Sequence, residues 1–334
     1  KKIIKMCQRY ISIRHILFFI GSIFFNVSIA QTRIDTTMSN TLDSVVVTAF
    51  RIQVKGQTIP ASIAQISRKT LAQEVNGTLL PAFNMVAGVR MEQRSEGSYR
   101  LAIRGSSLRS PFGVRNVKVY WNDVPFTDPT GNTYLNILPF ALVNGIDIIK
   151  GPVGAAYGLG TGGAVLLQSN FDSLMHTSGT LQLRAGSFGY LSQDLRVTLR
   201  QKNLQQTFFV SNEKIDGWRD QSGSTKKNIT WLGTLTKNKH TLKGMVLFTD
   251  LMYQTPGGLT LAQMQQNPRQ ARQATATLPS AVTQQTAVYN KTLLASIHHN
   301  YQLTKNIDWQ NFVVGANTNF KNPFITNYET RHEK

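Results

Sequence analysis

A strict alternation of apolar and polar side chains begins near residue 178 and limits the possible folds more than any other feature. The segment 181–185 reads Leu-Gln-Leu-Arg-Ala, and the segment 194–200 reads Asp-Leu-Arg-Val-Thr-Leu-Arg. Successive side chains of a β-strand point to opposite faces, so a period of two predicts strands with one apolar and one polar face. Each stretch approaches the roughly ten residues that a tilted strand needs to cross a bilayer. A membrane-embedded β-barrel and a soluble β-sandwich both fit this pattern.

The connections between strands favour the barrel. Five further candidate strands lie at residues 207–212, 229–236, 241–250, 292–303 and 307–318. Short turns near residues 202, 238 and 305 alternate with long segments at 213–228 and 251–291. Outer-membrane barrels alternate short periplasmic turns with longer external loops, so we expect both long segments outside. Trp231, Tyr301 and Trp309 are expected in the aromatic belts at the membrane interfaces.

The first 30 residues have the organisation of an export signal. Residues 1–15 are basic, residues 16–25 are mostly apolar, and Ser28 and Ala30 place small side chains before a cleavage point. The apolar run is shorter than the roughly 20 residues of a spanning helix. We predict a signal peptide at residues 1–30, which would also remove Cys7, the only cysteine. An exported, thiol-free β-protein indicates the bacterial envelope.

The positive charge of the chain does not point to nucleic acid. The formal net charge is +19, but five of these charges lie in residues 1–15 and the rest are dispersed. The densest remaining run is 237–240, and no zinc-finger, basic-zipper or RNA-recognition pattern accompanies it. A single cysteine also excludes a disulfide scaffold and a cysteine-ligated zinc site.

Residues 50–172 predict a small mixed α/β domain. Strands are expected near 62–66, 101–104, 117–121 and 146–150. Short helices are expected after Ser67 and over 79–86, the second of them interrupted by Pro81. Asn122 and Asp123 have the chemistry of a tight turn.

Two local patterns in and before this domain each allow two interpretations. Three successive valines, Val45 to Val47, favour extended backbone, as a buried strand or as a peptide that adds to another protein's sheet edge. Residues 158–163 fit G-x-G-x-x-G, but a dinucleotide site also needs a helix directly behind and an acidic residue about 20 positions on. Residues 164–170 instead predict a strand, and positions 183 and 184 are Leu and Arg. These glycines therefore indicate a close-packed turn between strands.

Four motifs in order resemble the start of a TonB-dependent outer-membrane receptor. Residues 43–49 resemble the TonB box, and residues 103–105 (Ile-Arg-Gly) resemble the arginine-glycine motif of the plug domain. Residues 117–125 resemble the plug strand that ends in a "DG-x-P" turn. Residues 147–152, followed by Tyr-Gly at 157–158 and Gly-Gly at 162–163, resemble the "E-V-L-R-G-P … Y-G … GG" motif.

The resemblance implies a mixed α/β plug domain followed by a partial antiparallel transmembrane β-barrel, with about seven of an expected ~22 strands. It divides the chain into a signal peptide (1–30), a periplasmic leader with the TonB box (31–49), a plug (50–172) and the N-terminal part of the barrel (178–334). Because about seven strands cannot enclose a plug, we expect the chain to end inside the barrel.

The resemblance also implies the residues that contact TonB and hold the plug. The TonB-binding residues would be Asp43, Ser44, Val45, Val46, Val47, Thr48 and Ala49. Arg104 and Lys150 occupy the positions of the plug latch, whose arginines pair with barrel glutamates in the family. Lys150 stands where arginine is usual, and Asp147 where glutamate is usual. A lysine is a weaker partner for a carboxylate than the two-pronged arginine.

Ligand contacts are expected from plug loops at the external end. The first candidates are Arg94, Ser95, Tyr99, Arg109, Phe112 and Arg115. A second loop offers Asp128, Thr130, Asn132 and Tyr134. A basic and aromatic cluster suits an anionic chelate, although Arg109 and Arg115 fit a structural bridge to the barrel wall equally well. Residues 254–259 resemble a stretch of iron-chelate receptors.

The implied function is capture of a scarce nutrient, a ferric siderophore by preference, at the cell outer membrane and its import with energy relayed by TonB, ExbB and ExbD. Partners would be these proteins, outer-membrane lipid and the ligand, with no cofactor and no metal site. Cobalamin, haem or a glycan are alternative ligands, and an exported β-rich adhesin is an alternative class. Catalysis is not expected, because neither H-E-x-x-H nor G-x-S-x-G occurs and the aspartates Asp123 and Asp128 lie in turn sequence.

Overall fold

The computed structural model describes residues 46–49, 52–55, 61–73, 78–106, 114–128, 131–154, 157–158, 160–169, 177–305, 307–323 and 328–333. All of them lie in one compact unit, Val45–Lys334. The predicted signal peptide and six of the candidate residues lie outside the described residues: Asp43, Ser44, Val45, Arg109, Phe112 and Thr130.

The described residues contain seventeen strands and three short α-helices. The first nine strands are β1 (Val46–Ala49), β2 (Ile52–Lys55), β3 (Ser62–Ile66), β4 (Val89–Ser95), β5 (Ser98–Ile103), β6 (Val117–Trp121), β7 (Val124–Pro125), β8 (Gly145–Lys150) and β9 (Gly163–Gln168). The other eight are β10 (Ser178–Gly186), β11 (Tyr190–Arg200), β12 (Leu204–Ile215), β13 (Ser224–Lys237), β14 (His240–Gln254), β15 (Ala287–Thr304), β16 (Ile307–Pro323) and β17 (Tyr328–Glu333). The helices are α1 (Arg68–Ala72), α2 (Leu80–Asn84) and α3 (Leu261–Gln266). None of the helices in this part of the chain is long and apolar enough to span a membrane.

A five-stranded mixed sheet, in the order β3-β8-β9-β6-β7, forms the centre of the first domain. Strand β6 runs parallel to β9, and the other neighbours are antiparallel. Trp121 is fully buried, and its indole Nε1 donates to Ser169 Oγ at 2.7 Å. Asn122 and Asp123 have φ angles of 49° and 70°, the left-handed conformation that a tight hairpin turn requires and that these residue types tolerate.

Both predicted plug helices exist, but Pro81 has a different role from the one expected. Ser67 caps α1, since its Oγ accepts a hydrogen bond from the backbone N–H of Thr70 at 3.3 Å. Pro81 lies in the first turn of α2, where a missing N–H costs nothing because no partner exists inside the helix. The proline therefore starts the helix instead of interrupting it.

The glycine pair 162–163 packs between strands, as the sequence predicted. Gly163 begins β9 with φ of 137°, and a Cβ there would collide with the carbonyl oxygen of Ile149 on β8. A Cβ on Gly162 would lie 3.1 Å from the carbonyl oxygen of Asn116. The residues that follow this pair continue as strand β9 and not as a helix. The segment therefore lacks the helix that a dinucleotide fingerprint requires.

The remaining strands form one antiparallel sheet in sequence order from β10 to β17. The described part of this sheet has eight strands where about seven were predicted, the addition being β17. The two long connections are shorter than predicted: residues 216–223 join β12 to β13, and residues 255–286 join β14 to β15. We call the end of the sheet that carries these two connections the long-loop end, and the opposite end the short-turn end.

The burial pattern of this sheet is inverted relative to a soluble protein. Apolar side chains on one face are exposed, with 67 % exposure for Leu181 and Leu183 and 76 % for Val313. On the other face, polar side chains such as Asn228 and Thr249 are fully buried. An apolar outer face opposite a polar inner face is the pattern of a transmembrane barrel and not of a sandwich, in which the apolar faces meet. The predicted fold class is confirmed.

Candidate functional site

The hairpin β4–β5 brings three of the predicted ligand residues to the long-loop end. Arg94 is exposed, and Ser95 and Tyr99 are half-buried. The Tyr99 ring packs edge-on against Phe140, with centroids 5.9 Å apart. Burial raises the pKa of the Tyr99 phenol, which also hydrogen-bonds Thr78. Tyr99 therefore supports the hairpin from inside the plug, whereas Arg94 stays accessible.

The tip of this hairpin fits tightly against the barrel. Gly97 has φ of 78°, and a Cβ there would lie 3.1–3.3 Å from the side chain of Tyr253. Tyr253 is buried one residue before the end of β14. Only glycine combines this backbone conformation with so close an approach.

An acidic and phenolic cluster that the sequence did not predict lies beside the hairpin. Burial raises the pKa of Glu96, and repulsion from Glu213 of β12 raises it further, against a hydrogen bond from Gln93. Tyr190 of β11 donates to Glu213 Oε2 at 3.5 Å. The only available signal was the Glu-Gly turn at 96–97, because the barrel residues come close through folding alone.

The second predicted ligand loop is held by its own side chains and by Arg115 of the first predicted set. Arg115 Nε donates to Asn132 Oδ1 at 2.7 Å. Asp128 Oδ1 accepts from the backbone N–H of Asn132 at 2.9 Å, which closes a turn. Tyr134 is buried, and its ring centroid lies 6.0 Å from that of Phe320 on β16. Asp128 and Tyr134 thus shape and anchor the loop, and Arg115 of the first predicted set lies beside it and is exposed.

Connections at the long-loop end are tied to one another. The backbone N–H of Asp216 donates to the carbonyl of Phe188 at 2.9 Å. Arg219 Nη2 donates to the carbonyl of Gln270 at 2.9 Å, across two connections. The Arg269 guanidinium lies 5.8 Å from the centroid of the Phe188 ring. These contacts hold the connections at the long-loop end against one another.

A polar clamp joins the plug to the wall of the barrel. Thr249 Oγ1 donates to the carbonyl of Ile137 at 2.9 Å, and Asn228 Nδ2 donates to the same carbonyl at 3.2 Å. Asn228 Nδ2 also donates to Thr249 Oγ1 at 2.7 Å. Lys226 Nζ donates to the carbonyl of Leu138 at 3.4 Å and lies 4.9 Å from the Phe140 ring centroid. We call Lys226, Asn228 and Thr249 the clamp.

The predicted latch residues make other contacts. Lys150 Nζ donates to the carbonyl of Ala87 at 2.7 Å, and the backbone N–H of Arg104 donates to the carbonyl of Gly88 at 2.7 Å. Within the described residues, neither side chain forms an ion pair with a carboxylate. Their role as a latch to barrel glutamates stays a prediction.

The described part of the predicted TonB box is extended. Val46–Ala49 forms β1 and pairs antiparallel with β2, with Val46 opposite Lys55 and Ala49 opposite Ile52. This backbone conformation suits a peptide that adds to a sheet edge. In the part of the chain that the structure describes, no group of three or more His, Cys, Asp or Glu side chains could hold a metal ion.

Comparisons with known proteins agree with this architecture. Residues 55–165 match the family model of the TonB-dependent Receptor Plug Domain. The vitamin B12 transporter BtuB of Vibrio vulnificus (strain YJ016) is 27 % identical over 183 residues, which are 54 % of this chain and 29 % of that protein. The chain therefore spans less than a third of the length of this relative.

Solved receptor structures share the fold at low sequence identity. The unliganded ferric citrate transporter FecA has a TM-score of 0.63 at 17 % identity, over 78 % of this chain and 40 % of that one. The ferric yersiniabactin uptake receptor FyuA from Yersinia pestis has a TM-score of 0.64 at 12 % identity, over 78 % of this chain and 41 % of that one. The chain carries the plug domain of the TonB-dependent receptors, a family of receptors and transporters, followed by antiparallel strands with the fold of their barrel.

Proposed function

We propose that this chain is part of an outer-membrane receptor that binds a ferric siderophore at the cell surface and imports it with energy relayed by TonB. The observation that carries the proposal is the hairpin tip, which packs against Tyr253 at the long-loop end and leaves Arg94 exposed there. The exposed guanidinium of Arg94 suits the anionic groups of an iron chelate. The receptor would perform no covalent chemistry of its own.

Transport requires that ligand binding outside changes the plug inside. A ligand shifts such an equilibrium only through a difference in its affinity for two plug states. We expect the ligand to contact Arg94, Ser95 and Arg115, together with Arg109 and Phe112 of the same predicted set. The clamp would hold one side of the plug while the TonB box, Asp43 to Ala49, is released to pair with TonB. ExbB and ExbD would supply the inner-membrane energy.

Growth of a deletion strain tests the ligand assignment. The strain, with or without the full-length gene, is supplied in turn with a panel of ferric siderophores, haem, cobalamin and glycans as the limiting nutrient. We expect gene-dependent growth on one ferric siderophore. Growth that never depends on the gene for any iron source would contradict the assignment.

Cobalamin is the second candidate ligand, and the relative named as a vitamin B12 transporter supports it, at 27 % identity over 183 residues. Cobalamin-limited growth that requires the gene would select it over a siderophore. Binding of the intact chelate to purified receptor, compared between the wild type and Arg94→Gln, then tests the hairpin. We expect weaker binding for Arg94→Gln if the ligand is anionic and little change if it is not.

A further inference from the structure

The short-turn end of the sheet is strongly basic. Three successive turns and strand ends carry exposed cations there: Arg200, Lys202, Lys237, Lys239 and Lys305. Among the described barrel residues at this end, 198–205, 235–243 and 299–310, Asp308 is the only carboxylate. The densest basic run of the mature sequence, 237–240, therefore belongs to a rim of positive charge that neither ligand capture nor TonB pairing uses.

A stack of rings fixes the centre of this rim. His240 of β14 and His299 of β15 are joined Nδ1 to Nε2 at 3.0 Å. The Tyr301 ring stacks on His240 with centroids 4.6 Å apart. These three side chains lie on the same outward face as exposed Leu242 and Ile297. The hydrogen bond and the stacking orient both imidazoles before any ligand arrives.

An open groove of ≈ 530 Å³ lies at this point on the outer face. Its lining consists of Leu235, Lys237, Asn238, His240, Leu242 and His299. Leu235 and Leu242 are about 40 % exposed and lie on the side of the groove that leads to the middle of the sheet. The groove thus has an apolar wall toward the membrane interior and a cationic wall at the rim.

We propose that this groove binds an anionic phospholipid, with the phosphate against Lys237 and His240 and an acyl chain along Leu235 and Leu242. The inference rests on the outer-membrane location in the proposed function. Charge complementarity selects an anionic over a zwitterionic headgroup, because a lysine near a membrane surface strengthens attraction to anionic lipid by about five-fold. The apolar wall selects a lipid over a soluble phosphate.

Native mass spectrometry of the full-length protein released from nanodiscs tests the site. The nanodiscs contain phosphatidylcholine with a minor fraction of phosphatidylglycerol, and retained lipids are counted for the wild type and Lys237→Gln. Lys227→Gln is the matched control, since Lys227 is an exposed lysine on the same strand and the same face at the opposite end. Glycerol 3-phosphate, a headgroup without acyl chains, is added as a competitor.

We expect the wild type and Lys227→Gln to retain phosphatidylglycerol in preference to phosphatidylcholine. In Lys237→Gln the ratio of retained phosphatidylglycerol to phosphatidylcholine should fall about five-fold. His240→Phe, which keeps a ring that can stack on Tyr301, should lose part of the preference for phosphatidylglycerol. The proposal would be overturned if the wild type retained both lipids equally, or if Lys237→Gln and Lys227→Gln lost the preference for phosphatidylglycerol equally. It would also be overturned if glycerol 3-phosphate displaced all of the bound lipid. Lipid retention can be measured without nutrient uptake. Cell fractionation and growth assays test the proposed function, so its failure can be distinguished from failure of the lipid site.

Discussion

The hydroxyl of Thr249 offers the sharpest test of how the plug is held. Thr249 is fully buried and donates to the carbonyl of Ile137 at 2.9 Å while it accepts from Asn228 at 2.7 Å. Thr249→Val keeps the shape of the side chain but removes both hydrogen bonds. The Ile137 carbonyl keeps its bond from Asn228, whereas one amide N–H of Asn228 loses its acceptor.

The size of the effect follows from these contacts. Loss of a net hydrogen bond costs about 1 kcal/mol, and leaving a buried donor unsatisfied costs about 1–3 kcal/mol. We therefore expect local opening of the plug segment 134–143 to become easier by about 2 kcal/mol. Such a change corresponds to about thirty-fold faster hydrogen exchange when exchange is limited by the opening equilibrium.

Hydrogen exchange measured by mass spectrometry on the full-length protein in detergent gives the readout. Thr198→Val is the matched control, because Thr198 is equally buried but its hydroxyl bonds Thr207 of the neighbouring barrel strand at 3.1 Å. Faster exchange of residues 134–143 should appear in Thr249→Val alone. Unchanged exchange in Thr249→Val, or equal acceleration in both variants, would refute the clamp.

Three further substitutions probe other parts of the structure. Gly97→Ala should lower the melting temperature measurably, because Gly97 has φ of 78° and a Cβ would press on Tyr253; an unchanged melting temperature would contradict that packing. Because burial and Glu213 raise the pKa of Glu96, the folded state holds this proton more tightly, so stability should fall as pH rises above the ordinary glutamate range. Glu96→Gln should remove the part of this loss of stability that comes from Glu96, which melting temperatures measured at several pH values can show. Identical pH profiles for the wild type and Glu96→Gln would refute this prediction. Asp123→Asn should change stability by less than about 1 kcal/mol, since its ion pair with Lys243 is half-exposed; a large loss in denaturant titration would contradict this.

Backbone chemistry and periodicity made much of the fold predictable. The alternation at 181–185 assigned the outward apolar face correctly, and Asn122 and Asp123 adopt the turn that their side chains favour. The glycine pair at 162–163 was predicted as a close-packed turn because residues 164–170 behind it predict a strand and not a helix. Each of these signals depends only on neighbouring residues, so it can be interpreted without knowledge of the tertiary structure.

Strand ends were harder to predict, for a physical reason. Strand β12 continues to Ile215 and β14 continues to Gln254, beyond the predicted limits at 212 and 250. Residues 212–214 read Asn-Glu-Lys, which is polar on both faces. Alternation arises where the two faces of a strand meet different environments, so a strand segment that is polar on both faces gives no such signal although its backbone ladder continues.

The clamp could not be predicted from sequence at all. Asn228 and Thr249 look like any polar residues of an inward strand face, and only the folded plug brings the carbonyl of Ile137 within reach of both. The same holds for Glu96 and Glu213, which are distant in the chain. Conversely, the latch roles of Arg104 and Lys150 stay predictions, because neither side chain forms an ion pair with a carboxylate among the described residues.

Energised uptake by a strain with an altered residue in the predicted TonB box tests the central claim most directly. Val46→Pro removes a backbone N–H from the extended segment Val46–Ala49, and proline cannot donate in an added strand. Val46→Thr, which keeps a β-branched side chain, is the control. With a radiolabelled ferric siderophore selected by the growth panel, we predict that Val46→Pro cells bind it at the surface but fail to accumulate it, while Val46→Thr cells do both. Accumulation by Val46→Pro cells at the wild-type rate would contradict a TonB-driven receptor.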